Sequence, residues 1–399
     1  MRRYYAISLC LLSAFALLGV PVQGQGMTLA RMPLPGTPAY VKTAKDIIDV
    51  HYRIIPNNAA EAGLFENSAI VPSFSPKTVK TLTARLDRDM AALRASHWRN
   101  WSVDRQIDAR YVYAIAQDAK RQLSAERMYE YRPAQWLEPV ANTFIALLSY
   151  APQRTDIQQK IVAQIPAMVT EMQTVCTHPT KRNADTAAGI IDALVPTIKA
   201  LPQNAERDKA IASLSAYKAH LASLTNLPEF RVIGNANYAW RLKHVELLPW
   251  NPTQLRNLAM GELTRVDAQL ATLKPKLKPT PAPTQAQLEQ AKALDQQSIL
   301  NIYDTIEQKL RAKVDHLGII TVPAGVGPIK SRVTPDAMVA LGGDGGSMNN
   351  PPTYWNSNVG WWNVEHFNPK MSEQDRIDTV VRAEDFDVTG EGPYAVHEG

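Results

Sequence analysis

The chain has 399 residues, of which 45% are apolar and 20% are charged, and its formal net charge is +5. This composition excludes a disordered polymer, because enough apolar surface is present to form a core. The positive excess is small and spread along the chain, which excludes the dense basic stripe that is typical of nucleic-acid binding.

The first 26 residues have the pattern of a secretory signal peptide. Arg2 and Arg3 precede an apolar run from Ala6 to Val20, and small residues follow that run. We expect cleavage near Gly24–Gly26 and a secreted or periplasmic mature protein. The apolar run is shorter than a membrane-spanning helix, and no second long apolar stretch follows it. We therefore expect no transmembrane segment after cleavage.

The composition of the middle of the chain favours helix. Five glycines fall between residues 63 and 318, whereas ten of the 19 glycines lie between residues 325 and 399. Ala, Leu, Gln, Lys and Glu, which are good helix formers, are frequent in the glycine-poor part. We predict a mainly α fold, with residues 27–273 as a helical N-terminal region and a small β-sheet near the C-terminal part.

The helix with the strongest sequence signals is predicted over 76–95. Ser75 and Pro76 provide its N-cap and first-turn proline, and its apolar residues recur every three or four positions. Further helices are predicted over 103–122, 137–149, 156–174, 185–200, 204–224, 235–246 and 253–273. Pro166 and Pro196 are predicted to kink or split two of these helices.

A stretch rich in Pro and Lys, residues 274–284, follows the helical region. Because it cannot continue a helix, we predict a stiff, exposed connector and a domain boundary there. A long helix is predicted from residue 285 to Gly318. Beyond this glycine, the sequence predicts short strands at 319–322, 329–333 and within 354–367, and a last helix over 372–383.

His397 and Glu398 form a His-Glu pair near the C-terminal end of the sequence. In zinc hydrolases such a pair supplies a metal ligand and a general base, and a second ligand follows about one helical turn later. A His-Glu pair also arises by chance in a chain with eight histidines. The setting adds weight, because Trp361–Val364 is predicted to be an upstream edge strand along which a substrate backbone aligns.

Several segments carry a family resemblance. The specific ones are Thr334-Pro335, the Gly-rich and aromatic stretch from Gly342 to Trp362, and Tyr394 to Gly399. Looser agreement extends over Arg132 to Pro166 and from Gly234 to Leu270. In these segments the chain resembles the bacterial family called domain of unknown function 885, which comprises metallopeptidases of largely helical fold.

The family motif continues as His-Glu-x-x-Pro-Gly-His. The resemblance therefore implies that His397 is the first zinc ligand and Glu398 the general base, in a multi-helix metallopeptidase-like fold. It implies zinc as cofactor, a peptide or small amide as substrate, and residues 285–399 as the start of the catalytic region. The chain would then be the N-terminal part of a longer hydrolase. One His and one outer-sphere Glu hold zinc less well than three protein ligands, so we expect these 399 residues alone to be inactive.

The alternative hypothesis is a non-enzymatic exported helical module, for which His397 to Gly399 are a polar tail. Its binding surface would be an aromatic-rich face that takes a peptide or a cell-envelope component. The aromatic residues are Trp98, Trp101, Tyr111, Tyr113, Tyr129, Tyr131 and Trp136. Their spacing also fits core packing between neighbouring helices, which is the favoured interpretation.

Other chemistry-bearing residues give weaker signals. Gly342 to Gly346 lack the ending of a phosphate-binding loop, so a turn is the favoured interpretation. His316 and His366 are isolated histidines, for which a local structural role is more common than metal binding. Cys176, the one cysteine left after signal cleavage, cannot form an internal disulfide and is predicted to be a small packing residue.

Overall fold

A computed structural model of the chain describes residues 38–276, 282–318, 327–340, 345–354 and 358–384. The predicted signal peptide and the pair His397 and Glu398 lie outside these residues. The fold is mainly helical with a small three-stranded sheet near the C-terminal part, as the composition predicted. Across the described residues, every helix is too short or too polar to span a membrane.

The first eight helices enclose the larger of two hydrophobic clusters. They are α1 (Pro38–Ile54), α2 (Asn57–Glu61), α3 (Pro76–Ala95), α4 (Val103–Arg121), α5 (Ala134–Tyr150), α6 (Thr155–Val175), α7 (Lys181–Lys199) and α8 (Ala205–Ser223). Trp136, Phe144 and Leu147 of α5 are fully buried. Buried residues occur on every side of α5, which is typical of a helix at the centre of a bundle.

The bounds of α3 match the prediction from its sequence. The Ser75 hydroxyl accepts a hydrogen bond from the Thr78 backbone N–H at 3.2 Å, and Pro76 occupies the first helical position. Pro166 and Pro196 do not split their helices, because α6 and α7 continue through them. Burial of the residues before and after each proline therefore outweighs the free-energy cost of a proline inside the helix.

Two further helices, α9 (Asn235–His244) and α10 (Pro252–Leu273), bury little of their surface. α10 begins with a reciprocal cap between Asn251 and Gln254, and none of its residues is buried. Within the predicted connector, Lys274–Lys276 forms a 3-10 turn, and residues 277–281 lie outside the described part.

The single long helix predicted from residue 285 to Gly318 is two helices, α11 (Gln285–Lys292) and α12 (Gln296–Leu317). The prediction was wrong because the Asp295 carboxylate accepts a hydrogen bond from the Ser298 N–H at 2.8 Å and caps a new helix. The predicted stop at Gly318 is confirmed: this glycine has a φ of +59° and ends α12.

The sheet contains β1 (Ile329–Val333), β2 (Ser347–Asn349) and β3 (Gly360–Val364) in the order β1-β3-β2. β1 is parallel to β3, and β2 is antiparallel to it. The prediction that Trp361–Val364 is an edge strand was therefore wrong. Its residues alternate between two packed faces, so this strand belongs in the middle of the sheet. The predicted strand 319–322 lies outside the described residues.

The smaller hydrophobic cluster lies on one face of this sheet. It joins β3 to α11, α12 and α14 (Glu373–Glu384) through Leu294, Ile302, Val364 and Val380. The short helix α13 (Asp336–Ala340) follows β1 and packs against α7 and α5. The other face of β3 carries Asn363, and it is turned towards the helical region.

Candidate functional site

Polar side chains converge where α1, α2 and α5 meet the sheet. We call this cluster the polar junction, and its members are His51, Asn57, Asn58, Glu61, Tyr150, Arg332, Asn349 and Asn363. Hydrogen bonds join the helical region (α1 to α10) to the sheet region (α11 to α14 with the sheet) here, among them two that backbone carbonyls accept. The backbone N–H of Tyr354 donates to the Ala62 carbonyl at 2.8 Å, and Arg332 Nη1 donates to the Ser149 carbonyl at 3.0 Å.

The helical side of the polar junction is a chain of four hydrogen-bonded side chains. Asn57 Nδ2 donates to Glu61 Oε1 at 2.9 Å and to Asn58 Oδ1 at 3.2 Å. Asn58 Nδ2 lies 2.8 Å from His51 Nε2. Because Asn58 Oδ1 already accepts a bond, its amide nitrogen donates to a neutral imidazole at Nε2.

Burial perturbs both ends of this chain. It lowers the pKa of His51 to about 4 and raises the pKa of Glu61 above its usual range, although the Asn57 bond opposes the second shift. Both side chains nevertheless keep part of their surface accessible. Titratable groups that are desolvated and still reachable from solvent are typical of functional sites.

Tyr150 connects the two sides of the polar junction. Burial is the main cause that raises its pKa to about 12, and the nearby Glu61 carboxylate acts in the same direction. Arg332 and a side-chain hydrogen bond with Asn349 act against that shift. The Tyr150 hydroxyl is therefore protonated at neutral pH and can donate a hydrogen bond.

The sheet side of the polar junction is built on residues at paired positions of the three neighbouring strands. Arg332 of β1 lies beside Asn363 of β3, which in turn lies opposite Ser347 of β2. Asn363 is completely buried, and its Nδ2 donates to Asn349 Oδ1 at 2.6 Å and to Ser347 Oγ at 3.1 Å. The central strand thus fixes polar side chains from both of its neighbours.

The two outer edges of the described sheet differ in how they are covered. The Ser331 N–H of β1 donates to Asp304 Oδ1 of α12 at 2.9 Å, so α12 covers that edge in part. β2 lies at the other edge, and its Met348 is 41% exposed. The β2 edge, next to the polar junction, is where an extended peptide could add to the described sheet.

The residues predicted for zinc chemistry, His397 and Glu398, lie outside the described part of the chain. Within the part that is described, no three His, Cys, Asp or Glu side chains come together to hold a metal ion. His316 is exposed in the last turn of α12, and His366 Nε2 lies 3.2 Å from an Asp336 carboxylate oxygen. These donors do not fit a zinc site, so no catalytic step through zinc is assigned to them.

The interpretations of the aromatic-rich segment and of Cys176 can be compared with the structure. Trp98, Tyr129, Tyr131 and Trp136 are buried, which supports the core interpretation of the aromatic-rich segment. Cys176 is buried as well, and burial raises the pKa of its thiol to about 12, as expected for an unreactive packing residue.

The glycine-rich segment before β2 is described only at its end, because residues 341–344 lie outside the described part. Gly345 and Gly346 have φ values of +72° and +63°. The Gly345 N–H donates to Thr334 Oγ1 at 3.0 Å, and a Cβ on this residue would overlap Glu365. This bend agrees with the turn interpretation and requires glycine.

A second polar cluster joins α4 to α9. Arg241 Nη1 lies 3.0 Å from Glu126 and 3.1 Å from Asp118, and Arg121 Nε lies 3.5 Å from Glu126. The Arg121 guanidinium also lies 4.1 Å from the ring centre of Trp240. Two arginines meet two carboxylates here, so the charges balance, and we assign this cluster a structural role in holding α9.

A surface cavity of about 410 Å³ lies between α6 and the turn that joins α7 to α8. Asp156, Lys160, Glu206 and Arg207 are among its lining residues. None of the residues of the polar junction lines it. Asp156, Lys160 and Arg207 form ion pairs with neighbouring surface side chains, so the cavity offers less chemistry than the polar junction.

Comparison with known proteins bears on the fold. No family model matches the chain, and no curated protein matches it. The chain is similar to the solved structure of a putative lipoprotein of unknown function from Shewanella oneidensis, with 16% identity and a TM-score of 0.60. The match covers 87% of this chain and 68% of that one. At this identity, the similarity shows a shared fold.

The polar junction was not predicted from the sequence. His51, Glu61 and Arg332 lie in segments with no recognisable motif, and α1 and α2 were not predicted as helices. One local signal was present: Asn57 and Glu61 are four residues apart, a spacing that brings side chains together on a helix. Nothing in the sequence indicated that this pair meets Tyr150 and the sheet.

Proposed function

We propose that this chain supplies the substrate-binding side of an exported, zinc-dependent hydrolase that acts on peptide bonds. The observation that carries the proposal is the polar junction beside the β2 edge, whose sheet side comes from the part of the chain that precedes His397 and Glu398. An edge strand aligns an extended substrate, and perturbed polar groups beside it orient the reacting bond.

In this proposal His397 is the first zinc ligand and Glu398 the general base. Zinc, when bound by a complete set of ligands, would activate the attacking water. Further protein ligands would be needed for tight zinc binding, because one His and one outer-sphere Glu hold the ion weakly.

An exported location is part of the proposal. The two arginines and the apolar run within residues 1–26 support it, as does the description of the Shewanella protein as a putative lipoprotein. Detection of the mature protein in the periplasmic or secreted fraction, with its N-terminus near residue 26, is the expected result.

The catalytic proposal is tested by the change Glu398→Gln in the full-length protein. We expect the variant to cleave a fluorogenic peptide library about 10²–10⁴-fold more slowly than the unsubstituted protein, because a general base contributes about this much. Zinc content, measured by mass spectrometry of the metal, should be unchanged because the base is not a ligand.

Glu391→Gln is the matched control, since it makes the same chemical change seven positions earlier. It should leave turnover unchanged. Full activity in Glu398→Gln, or a zinc-loaded protein that cleaves no peptide in the library, would contradict the proposal and favour the non-enzymatic binding module.

A further inference from the structure

The guanidinium of Arg332 is held rigidly at the centre of the polar junction. Its Nε donates to Asn363 Oδ1 at 2.8 Å, its Nη1 to the Ser149 carbonyl at 3.0 Å, and its Nη2 to Asn349 Oδ1 at 3.0 Å. The ring of Trp361 lies beneath it, with 5.1 Å between the guanidinium carbon and the ring centre. These contacts fix both the position and the plane of the cation.

The charge of Arg332 is not balanced by its neighbours. All three acceptors are neutral amide oxygens, and within the described residues no carboxylate oxygen forms an ion pair with this guanidinium. The arginines of the α4–α9 cluster differ, because Arg121 and Arg241 each meet a carboxylate. Burial lowers the pKa of Arg332, which agrees with an uncompensated cation.

Arg332 also retains unused donors. A guanidinium has five N–H groups, of which two are on each Nη atom, and three are used in the bonds above. One N–H therefore remains on Nη1 and one on Nη2. The side chain keeps part of its surface accessible, so a ligand from solvent can reach it.

We propose that Arg332 anchors a carboxylate-binding subsite, in which Tyr150 supplies a further hydrogen bond. The ligand is the C-terminal carboxylate of a peptide that lies along the β2 edge. A carboxylate accepts two parallel N–H bonds from a guanidinium and carries the single negative charge that one arginine balances. The identification of this peptide as a substrate rests on the proposed function, whereas the subsite itself does not.

The residues around Arg332 favour a ligand with one negative charge over a phosphate group. Glu61 lies near Tyr150, and its carboxyl would repel a dianion more strongly than a carboxylate. The other members of the sheet side, Asn349 and Asn363, add no positive charge. If the hydrolase is a peptidase, this subsite selects peptides with a free C-terminus.

The subsite is tested by calorimetric titration of the full-length protein, without added zinc, with three probes. These are acetyl-Ala-Ala-Ala with a free carboxylate, the same peptide as its C-terminal amide, and acetyl-Ala-Glu-Ala-amide. We expect the free acid to bind at least about tenfold more tightly than its amide, because the amide cannot accept charge-assisted bonds. Arg332→Gln should abolish this difference.

Arg376→Gln is the matched control, because Arg376 also donates to backbone carbonyls, those of Leu294 and Pro369, and lies over an aromatic ring. It should retain the preference for the free acid. Arg332→Lys keeps the positive charge but loses the planar guanidinium with its paired N–H donors. It should reduce the preference for the free acid, and it provides a test even if Arg332→Gln does not fold. Circular dichroism and thermal unfolding establish folding for each variant.

The subsite would be overturned if the acid and its amide bind equally or if none of the three probes binds. It would also be overturned if a folded Arg332→Gln or Arg332→Lys variant keeps the full preference for the free acid. Preferential binding of acetyl-Ala-Glu-Ala-amide would overturn the assignment to a C-terminal carboxylate and assign an acidic side chain instead. Because binding is measured without turnover, failure of the hydrolase proposal and failure of the subsite are distinguishable.

Discussion

The helical region and the sheet region are built on cores of different size. The larger hydrophobic cluster contains fully buried side chains such as Trp136 and Leu147, whereas the smaller one is lined by partly buried residues such as Trp362 and Phe367. Hydrogen-bonded polar side chains collect between the two cores, at the polar junction. Because a large, fully buried core lies on one side and a smaller, partly buried core on the other, a site at their boundary can be both ordered and accessible.

Matched Leu→Ala changes give the largest expected effect and test this difference in core size. Leu147 is fully buried in the larger cluster, and Leu294 is 3% exposed in the smaller one. We expect Leu147→Ala to lower the free energy of unfolding by about 4 kcal/mol and Leu294→Ala by roughly 2 kcal/mol, because partly exposed neighbours relax into the cavity. Urea denaturation measures both values.

Hydrogen exchange then separates local from global effects. Leu294→Ala should reduce amide protection in α11, α12 and α14 while α5 stays protected. Leu258→Ala on α10 is the control, since this leucine is 53% exposed and its loss should change stability by less than about 0.5 kcal/mol. An equal or larger cost for Leu294→Ala would show that the two cores do not differ in this way.

The pH dependence of stability tests the helical side of the polar junction. The folded pKa of His51 is lowered to about 4 from an ordinary value of 6.5, so the unfolded chain binds the extra proton between these values. The stabilising contribution is complete above pH 6.5 and is lost as pH falls towards 4. The loss is on the order of 3 kcal/mol.

His51→Gln removes this titration while its amide oxygen can still accept from Asn58. Urea denaturation at pH 7 and pH 4.5 should therefore show a smaller loss for the variant than for the unsubstituted protein. Glu61 acts in the opposite sense, because its raised pKa favours folding as pH falls, and it is common to both proteins. Identical pH profiles for the two proteins would exclude a buried neutral His51.

Removal of a helix cap gives the smallest expected effect. It compares the helical region with the sheet region at one helix end in each. Ser75 caps α3 in the helical region, and Thr284 caps α11 in the sheet region through a reciprocal bond with Gln287. Each change to Ala should cost about 1 kcal/mol, because a backbone N–H loses its acceptor. Exchange protection should fall throughout the helical region for Ser75→Ala and only near α11 for Thr284→Ala.

The corresponding changes to Gly are the controls and should cost only a few tenths of a kcal/mol, since Gly is accepted at N-caps. Loss of protection in α3 on Thr284→Ala would indicate that the two regions unfold as one unit.

The sequence predicted those parts of the fold that depend on local signals. The bounds of α3 follow from Ser75, Pro76 and an apolar repeat, and the stop of α12 follows from Gly318. The division between α11 and α12 was missed, because the apolar repeat continues across Asp295, whose carboxylate caps α12. Local capping was present in the sequence but weaker than the apolar periodicity around it.

The position of β3 could not be predicted in the same way. An apolar segment such as Gly360–Val364 is a strand by propensity, but its neighbours in the sheet depend on pairings with residues 12 to 31 positions away. The identity of the edge strand therefore required the pairing of β1 and β2 with β3, which no local pattern encodes.

The sequence by itself determined a mainly helical fold, the bounds of α3, the end of α12 and the presence of a small sheet, because propensity, capping and periodicity act over a few residues. The polar junction was decided by tertiary structure alone. His51, Tyr150 and Arg332 are far apart along the chain, and only the packing of the sheet against α5 brings them together. Their burial, and hence their altered pKa values and the uncompensated charge of Arg332, exists only once that packing excludes water.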